Sequence, residues 1–562
     1  MTFLDWLIVV VTNGLIVGYG LYLARGPTDS YEWFLAAKGL PWWIVGLSMF
    51  ATAVDSGDYV AVVGGAYTFG LSNLTTWWLG IPIGWFVVSY VVFLPLYRSG
   101  MFTNAEYLEY RFGPGVRVMG ALIQIQYRTN VLGNIAFSLY LTFSILSGWG
   151  TETWWLVGGI AAAAAAYTAA GGLKSVAVTD ALQSIGMFLA ALILWVVLWN
   201  YVGGWGGIES RLTAVDPALV GSMMHVGGQQ QPGVPAWLVV FGWVVSLTAY
   251  SVVNHSQAMR LLAARSEWDM QMAALIASVI VVIVMGFNIT LGLLGRALMP
   301  ELEMVDQIYP LLVREYLGPG LVGLVVAGVL AGGISTYDSI GSSIAAVFTR
   351  DIYARFFVKT RGDAHYLKVS RWATWGVIAA SFGYIPFLKS GMVAFYLRLS
   401  SVAVIPLFTV YMMGTMTRVH RRSGAVGLAA GIAYGLSSFW GERWGWDLPV
   451  WWVNTWWAYL WSIVFTAAAM LAATAYSGWA DAEEVRGLVR FGGGETAEGE
   501  AERVELPATE GTWLEVTRKQ VKSVPRYPFE VGPGGLPRYL EPAIWAVLFG
   551  VLIGFVNLVV LW

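Results

Sequence analysis

Two carboxylates lie inside a stretch that is otherwise apolar. Residues 48–59 read SMFATAVDSGDY, with Asp55 and Asp58 on either side of Gly57. Ionisable groups are costly inside a bilayer, so a continuous lipid-facing helix would not carry two of them near its centre. Gly and small polar residues favour an unwound helix whose freed carbonyl groups line a cavity. The alternative is a kinked helix in which both Asp side chains are buried, either neutral or paired.

A second stretch, residues 331–343 (AGGISTYDSIGSS), predicts a polar stripe along one helix. Hard cations prefer oxygen ligands, which this stripe would supply. Ser and Thr in membrane helices also pack and hydrogen-bond between helices without binding anything, which is the alternative. The stripe consists of side chains spaced so that they share one helical face: Ser335, Asp338, Ser339, Ser342 and Ser343.

The charges within apolar runs do not balance. Four are acidic and two are basic, and an excess of negative charge in a low-dielectric region is unfavourable unless protons or bound cations neutralise it. The sequence therefore predicts a cation-binding cavity but does not decide between Na⁺ and protons. The six residues are Asp55, Asp58, Asp180, Asp338, Arg128 and Arg398.

The elements that carry these residues are predicted to be membrane-spanning helices. Of the 562 residues, 57% are hydrophobic and only 12% are charged, whereas about a quarter are charged in soluble proteins. Apolar runs of about 20 residues recur along the chain, long enough for a bilayer core. We expect an all-α polytopic membrane protein with about 14 spans.

Composition also excludes several functions. A net charge of −2 leaves no polybasic surface for nucleic acid, and zero Cys excludes disulfides and thiolate metal sites. The polar stripe contains no base paired to a nucleophile, so we expect neither an enzyme nor a cofactor, and Na⁺ is the only metal ion predicted. The sequence makes no prediction about oligomeric state.

Basic residues predict the orientation. With the N-terminus outside, 25 of the 32 Lys and Arg residues fall in inner loops or in the segment before the last span, against five in outer loops. By the positive-inside rule, both termini are predicted to lie outside a cytoplasmic membrane. Residues 477–541, acidic first and basic later, are predicted to be a cytoplasmic linker because they contain too few apolar residues for a core of their own.

Four motifs follow one another along the chain. They are residues 64–70 (GGAYTFG), residues 103–113 (TNAEYLEYRFG), residues 167–183 (YTAAGGLKSVAVTDALQ) and residues 335–353, which end in TRDIY. Together they resemble the sodium:solute symporter family, which includes bacterial proline, sialic acid and sodium/galactose symporters. The first motif resembles the end of the family's second span, the second resembles its inner loop, and the other two resemble two further family segments.

The resemblance implies the LeuT-type fold, in which two five-helix repeats have inverted topology and each begins with an interrupted helix. Residues 246–251 are where we expect the second interruption. The predicted divisions are an extra N-terminal helix with its inner loop (1–35), the first repeat (36–202), an outer loop (203–235), the second repeat (236–416), two further helices (417–476), the linker (477–541) and a last helix (542–562).

The resemblance also implies ligands for sodium. The main site would use three backbone carbonyls and two hydroxyls, from Ala51, Val54, Gly332, Ser335 and Thr336. Five neutral oxygens suit Na⁺ chemically. A second sodium would lie between the polar stripe and the predicted span that contains Asp180, held by Asp180, Ser335, Asp338 and Ser339.

The substrate positions depart from the sugar-transporting members. Those members bind hydroxyls with a Gln and a Glu, whereas the matching positions here are Asp58 and Trp77, which disfavours a sugar. Tyr250 matches an inner gating Tyr, and Arg128 lies near a carboxylate-binding Arg of sialic acid transporters. An amine at Asp58 and a carboxylate at an arginine would suit a zwitterion; the alternative is that Asp58 and an Arg pair structurally. The candidates for substrate and gate are Asp55, Asp58, Trp77, Arg128, Tyr250 and Arg398.

These observations predict a Na⁺-coupled symporter that imports a small polar solute by alternating access, with an amino acid, another zwitterion or a carboxylate favoured over a sugar. Its partners would be Na⁺, the solute and the lipid bilayer. Two alternatives remain: a proton-coupled carrier of the same fold that uses Asp55 or Asp58, and a transporter-derived solute sensor that signals through the linker.

Overall fold

The computed structural model describes residues 1–23, 29–229, 232–490, 511–521, 525–531 and 535–562. Within these ranges the chain is helical apart from turns, loops and isolated β-bridge residues, among them the pair Leu40 and Ala264. Ten of the described helices are long and apolar enough to cross a membrane. The count of 14 spans stays a prediction.

The described residues up to 223 form eleven α-helices. Turns of π-helix at Thr76–Gly80 and Val88–Val92 join α5 and α6 into one continuous helix, Thr76–Arg98. The helices are α1 Phe3–Leu23, α2 Ser30–Leu35, α3 Trp42–Ala53, α4 Val63–Phe69, α5 Ile81–Val87, α6 Phe93–Arg98, α7 Asn104–Phe112, α8 Pro114–Ser147, α9 Thr153–Val202, α10 Gly204–Val215 and α11 Ala218–Met223.

Twelve further helices follow in the described part of the chain. A π-helical segment, Phe348–Phe357, continues α16, and another, Val556–Val560, continues α23. The helices are α12 Ala236–Val253, α13 His255–Leu262, α14 Glu267–Leu298, α15 Ile308–Tyr316, α16 Leu321–Val347, α17 Asp363–Ser381, α18 Met392–Met416, α19 Ser423–Arg443, α20 Val450–Val453, α21 Thr455–Ser477, α22 Trp513–Gln520 and α23 Pro542–Phe555.

Two interruptions mark the helices that begin the predicted repeats. Helix α3 ends at Ala53, and Val54 is extended at φ −109° and ψ 118°. Helix α12 instead runs unbroken through the predicted interruption at residues 246–251 and ends at Val253. Asn254 is extended, and its side chain accepts a hydrogen bond from the Ser256 amide to begin α13. The second break therefore lies at Asn254, whose side chain caps the start of α13. This capping signal comes after the small polar residues 246–251 in the sequence.

Helix α9 contains two predicted spans and turns at Gly172. This residue has φ +64° and ψ 176° inside the 50-residue helix. A Cβ atom here would lie 2.9 Å from the Trp33 side chain. Because the backbone has a positive φ and passes close to Trp33, only glycine suits the position.

One end of the bundle, which we call the basic end, carries α2, α7, α13 and α22. Helix α22 belongs to the predicted linker and docks there through Trp513, whose ring stacks on Tyr366 at 4.0 Å between centroids. The Trp513 Nε1 donates to Asp363 Oδ1 at 2.6 Å. Residues 491–510, 522–524 and 532–534 of the predicted linker lie outside the described residues.

Candidate functional site

The break after α3 is held by two carboxylates that cap each other's backbone. Asp55 Oδ1 accepts hydrogen bonds from the amides of Gly57, at 2.6 Å, and Asp58, at 3.2 Å. Asp58 Oδ2 accepts from the Asp55 amide at 2.8 Å. Side-chain oxygens that accept from backbone amides at the start of a helix stabilise that start. The two aspartates therefore let the helix stop at Ala53 and resume within a few residues.

Helix α16 lies directly against this break. The Ser335 hydroxyl donates to the Ala51 carbonyl at 2.7 Å and to the Gly332 carbonyl at 2.9 Å. The Thr336 hydroxyl reaches the same Ala51 carbonyl at 3.4 Å. Val54 is the extended residue at the break itself. Four of the five predicted sodium ligands are thus joined by hydrogen bonds, and this buried set of neutral oxygens fits a hard monovalent cation.

A different cluster lies at Ser339, four residues after Ser335 on α16. Its centre is a buried arginine from another helix. The Arg260 guanidinium donates to Asp180 Oδ2 at 2.8 Å, to the Ser48 hydroxyl at 2.7 Å and to the Ser339 hydroxyl. Ser48 also donates to Asp180 at 2.6 Å. Arg260 is one of the 25 basic residues that the positive-inside count assigns to the inner side, yet it is fully buried. The charge balance of the core therefore includes a third base.

Asp338, the remaining member of the predicted second sodium set, faces α9 instead. Its Oδ1 accepts from the Thr168 hydroxyl at 2.8 Å. The Ser339 hydroxyl donates to the Ser335 carbonyl at 2.6 Å, which links the two clusters. Of the four predicted second-site residues, Asp180 and Ser339 therefore bond to Arg260, and Ser339 also bonds to the Ser335 carbonyl. The Asp338 side chain bonds instead to a neighbouring helix.

A pocket of about 100 Å³ lies beside the break. Four of the six predicted substrate and gate candidates line it, namely Asp55, Asp58, Trp77 and Tyr250. Asp58 is only half-buried, whereas Asp55 is 6% exposed. Asp58 therefore presents carboxylate surface to the pocket while it caps the helix.

The pocket also contains residues that the sequence analysis missed. On α12, Trp243, Ser246 and Leu247 precede Tyr250 by seven, four and three residues, so helical periodicity places all four on one face. That periodicity could have identified them once Tyr250 had been singled out. Contributions from α8 and α18 depend on tertiary packing and carry no such signal; they include Val131, Asn134, Met392 and Tyr396.

Neither predicted arginine lines the pocket. Arg128 is fully buried, with its guanidinium carbon 5.2 Å from the centre of the Tyr250 ring and 5.9 Å from that of Tyr127. Within the described residues, its side-chain nitrogens have no hydrogen-bond partner. Arg398 is half-buried and donates to the Val453 carbonyl at 3.2 Å. Arg128 therefore lies behind Tyr250, and Arg398 joins α18 to the end of α20.

At the basic end, Glu106 is buried among arginines. Its carboxylate lies 3.5 Å from Arg350, 3.9 Å from Arg518 and 4.0 Å from Arg117, and it accepts from the Phe102 amide at 2.8 Å. Burial acts to raise the pKa of Glu106, but the three guanidinium groups outweigh it and lower that pKa to about 2. This network joins α7, α8, the end of α16 and α22.

Comparison with known proteins identifies the family. The model of the sodium:solute symporter family matches residues 33–456. A sodium/glucose cotransporter of Vibrio parahaemolyticus is 27% identical over 467 residues, covering 78% of this chain and 85% of that protein. Sodium/glucose cotransporter 4 of Danio rerio is 28% identical over 477 residues, covering 77% and 71%. Sodium/myo-inositol cotransporter 2 of Rattus norvegicus is 26% identical over 474 residues, covering 77% and 69%.

Solved structures confirm the expected fold. A Na⁺-coupled sialic acid symporter in a substrate-bound outward-open state aligns with a TM-score of 0.72 and 19% identity, covering 85% of this chain and 99% of that one. Mhp1, a nucleobase-cation-symport-1 family transporter, aligns with a TM-score of 0.52 and 13% identity, covering 83% and 99%. At these identities the likeness concerns the LeuT-type fold alone.

Family and fold together establish the coarse function. This is a multi-pass membrane protein that carries out Na⁺-coupled symport of a solute, with Na⁺ as the coupling ion, and its relatives are transporters and not enzymes. The resemblance in the four sequence motifs is confirmed by the match over residues 33–456. The chain belongs to the sodium:solute symporter family.

Proposed function

We propose that this chain is a cytoplasmic-membrane symporter that uses inward Na⁺ movement to import a small zwitterionic solute, such as an amino acid. The observation that carries the choice of solute is Asp58, a half-buried carboxylate on the wall of the pocket. A partly desolvated carboxylate is stabilised by a cationic group, and an ammonium supplies both charge and hydrogen-bond donors.

The coupling Na⁺ binds between the break in α3 and helix α16. Its ligands are the carbonyls of Ala51, Val54 and Gly332 and the hydroxyls of Ser335 and Thr336. The hydrogen bonds from Ser335 and Thr336 to the Ala51 carbonyl support this assignment, because they already bring these oxygens together. Bound Na⁺ holds α3 against α16 and thereby shapes the adjoining pocket.

A second Na⁺ at Asp180, Ser335, Asp338 and Ser339 stays a candidate. Arg260 already donates to Asp180 and Ser339, so a second ion would share these oxygens with a guanidinium. The positive charges of the second Na⁺ and of the Arg260 guanidinium would then lie close together and repel each other. We therefore assign coupling first to the neutral set at Ser335.

The pocket supports a zwitterion with an apolar part. Its ammonium would meet Asp58, and its apolar part would pack among Trp77, Trp243 and Tyr250, which together form an aromatic wall. Arg128, behind Tyr250, places positive charge near the same pocket and favours a carboxylate at that side.

A sugar or polyol is the second candidate. The relatives named above are glucose and myo-inositol cotransporters, and aromatic walls with a carboxylate also suit hydroxyl-rich rings. Asp58 and Trp77 line the pocket of this chain, and the family resemblance matches them to the Gln and Glu that bind hydroxyls in the sugar-transporting members. That difference favours the zwitterion.

Transport would proceed by alternating access with the basic end in the cytoplasm and both termini outside. The positive-inside rule supports this orientation. The pocket would then open to the cytoplasm when the helices on its Tyr250 side move apart and the Glu106 network at the basic end comes apart with them. The described structure holds that network together through buried ion pairs.

The test is uptake into proteoliposomes driven by an inward Na⁺ gradient, with a K⁺ gradient as reference. Radiolabelled amino acids, glucose and myo-inositol are compared for wild type, Asp58→Asn and Asp447→Asn, which removes an exposed carboxylate outside the pocket. We expect Na⁺-driven amino-acid uptake by the wild type. Asp58→Asn should lower the apparent affinity for the amino acid about ten- to a hundredfold, because a charge-assisted hydrogen bond is lost. Asp447→Asn should leave that affinity unchanged. Na⁺-driven uptake of glucose or myo-inositol but not of amino acids would overturn the zwitterion assignment.

A further inference from the structure

Away from the transport site, a groove of about 440 Å³ opens on the perimeter of the helix bundle, between α9 and α17. One wall consists of alanines of α9 between Ala166 and Ala170. The other consists of two cations and two tryptophans on α17, namely Lys368, Arg371, Trp372 and Trp375. Neither the sodium site nor the solute pocket uses any of these residues.

The cations in this groove differ from their neighbours. At the same basic end, Arg117, Arg350 and Arg355 each pair with a carboxylate of the protein. Lys368 and Arg371 are exposed, and in the described residues neither side chain has a hydrogen bond or an ion pair. Their positive charge is therefore available to a ligand outside the protein.

The order of residues along α17 matches the order of layers in a bilayer. The helix starts at Asp363, which accepts hydrogen bonds from Ser30 and Trp513 of the basic end. With a rise of 1.5 Å per residue, Lys368 and Arg371 lie about 8–12 Å from that start and the two tryptophans about 14–18 Å. From Trp372 to Ser381 the helix has no charged side chain. Cations thus lie at headgroup depth, followed by Trp at the interface and apolar surface beyond.

The facing wall leaves room for an acyl chain. Ala166 is exposed, and Ala169 and Ala170 follow it towards the turn at Gly172. Small side chains along this face make a channel beside Trp372 and Trp375, which are 68% and 39% exposed. A membrane protein meets lipid on this surface, so an apolar channel that ends in two cations has a natural occupant.

We propose that the α9–α17 groove is a binding site for an anionic phospholipid, whose phosphate lies at Lys368 and Arg371 and whose acyl chain lies along the alanines of α9. Basic pockets between membrane helices recognise anionic headgroups by the same chemistry. This assignment is independent of the solute and of the sodium site, so its failure would leave both intact.

The groove adjoins the transport core through one layer of packing. A Cβ atom at Gly341 of α16 would lie 3.1 Å from Thr374 of α17 and 3.6 Å from Thr168 of α9. Thr168 in turn donates to Asp338. Bound lipid bridges α9 and α17 on the outer side of this three-helix contact and stabilises it.

The test is lipid binding to delipidated wild-type protein, measured by native mass spectrometry and by melting temperature. The probes are phosphatidylglycerol, phosphatidylcholine and soluble glycerol-3-phosphate. We expect phosphatidylglycerol to bind and raise the melting temperature while the other two do not. Lys368→Gln/Arg371→Gln should weaken phosphatidylglycerol binding about thirtyfold, since each basic side chain near an anionic membrane surface contributes about fivefold.

The matched control is Arg421→Gln/Arg422→Gln, which removes two exposed cations outside the groove. All four positions are exposed, so both variants should keep the wild-type melting temperature without lipid. Equal phosphatidylglycerol binding in both double variants, or phosphatidylcholine binding as tight as phosphatidylglycerol, would overturn the proposal. Protection by glycerol-3-phosphate alone would also overturn it, because the ligand would then be a soluble phosphate.

Discussion

Two buried polar regions lie one helical turn apart on α16 and are built in opposite ways. At Ser335 and Thr336, hydroxyls meet the Ala51 carbonyl, and every group in the set is neutral. At Ser339, the chain supplies its own cation, because Arg260 is fully buried against Asp180. In our proposal the first region takes its positive charge from solution as Na⁺, whereas the second already contains the Arg260 guanidinium.

Because of this difference, we expect the first region to serve ion binding and the second to serve folding stability. A neutral set can release its ion without leaving a buried charge behind, as a transport cycle requires. A buried ion pair cannot lose one partner without a large penalty, since the remaining charge stays desolvated. We therefore expect mutations in the first region to change the response to Na⁺, and mutations in the second to change folding stability.

The largest effect is expected from Arg260→Gln. This change leaves the Asp180 carboxylate buried and without its guanidinium, and should lower the free energy of unfolding by about 3–5 kcal/mol. The measurement is unfolding of the purified protein in detergent by SDS titration. Arg398→Gln is the control, because that arginine is only half-buried and donates to the Val453 carbonyl.

The double variant Arg260→Gln/Asp180→Asn makes the comparison sharper. It removes both charges, so most of the loss should be recovered. If Arg260→Gln is no more harmful than Arg398→Gln, or if the double variant is as unstable as Arg260→Gln, the ion pair does not have the stabilising role assigned to it.

Glu106 extends the comparison to a paired acid outside the membrane spans. Its pKa is lowered to about 2 in the folded protein, against about 4.3 when unfolded. Its contribution of about 3 kcal/mol is therefore present above pH 4.3 and is lost as the pH falls from there to 2. Unfolding measured across this pH range should show a smaller decline for Glu106→Gln than for wild type. An identical decline in both would rule out Glu106 as a source of the acid sensitivity.

Much of the fold could be predicted from sequence because its signals are local. Apolar length predicts spans, and the Gly57 region with its two aspartates predicts the first break, where Val54 is extended. The second break was expected at residues 246–251 but comes at Asn254. Ser and Thr are compatible with a continuous helix, whereas an Asx N-cap begins a new one, so the capping residue was the better signal.

The candidate site was predictable only in part. Periodicity along α16 brings Ser335 and Ser339 to one face, and the structure places them against two different partners. Arg260 could not be assigned from one sequence, because its partner Asp180 is 80 residues away in the chain. Arg128 was expected at the solute, yet it lies behind Tyr250, since reach across helices depends on packing that no local pattern encodes.

The smallest effect tests the central claim, that the neutral oxygens between α3 and α16 bind the coupling Na⁺. The measurement is the melting temperature of the detergent-purified protein in NaCl and in KCl at matched ionic strength. Na⁺ at ten times its dissociation constant stabilises the folded state by about 1.4 kcal/mol. The account predicts a Na⁺-specific rise that disappears in Ser335→Ala/Thr336→Ala and persists in Arg260→Gln/Asp180→Asn. Equal melting temperatures in the two salts for wild type, or a Na⁺ response that survives in Ser335→Ala/Thr336→Ala, would contradict it.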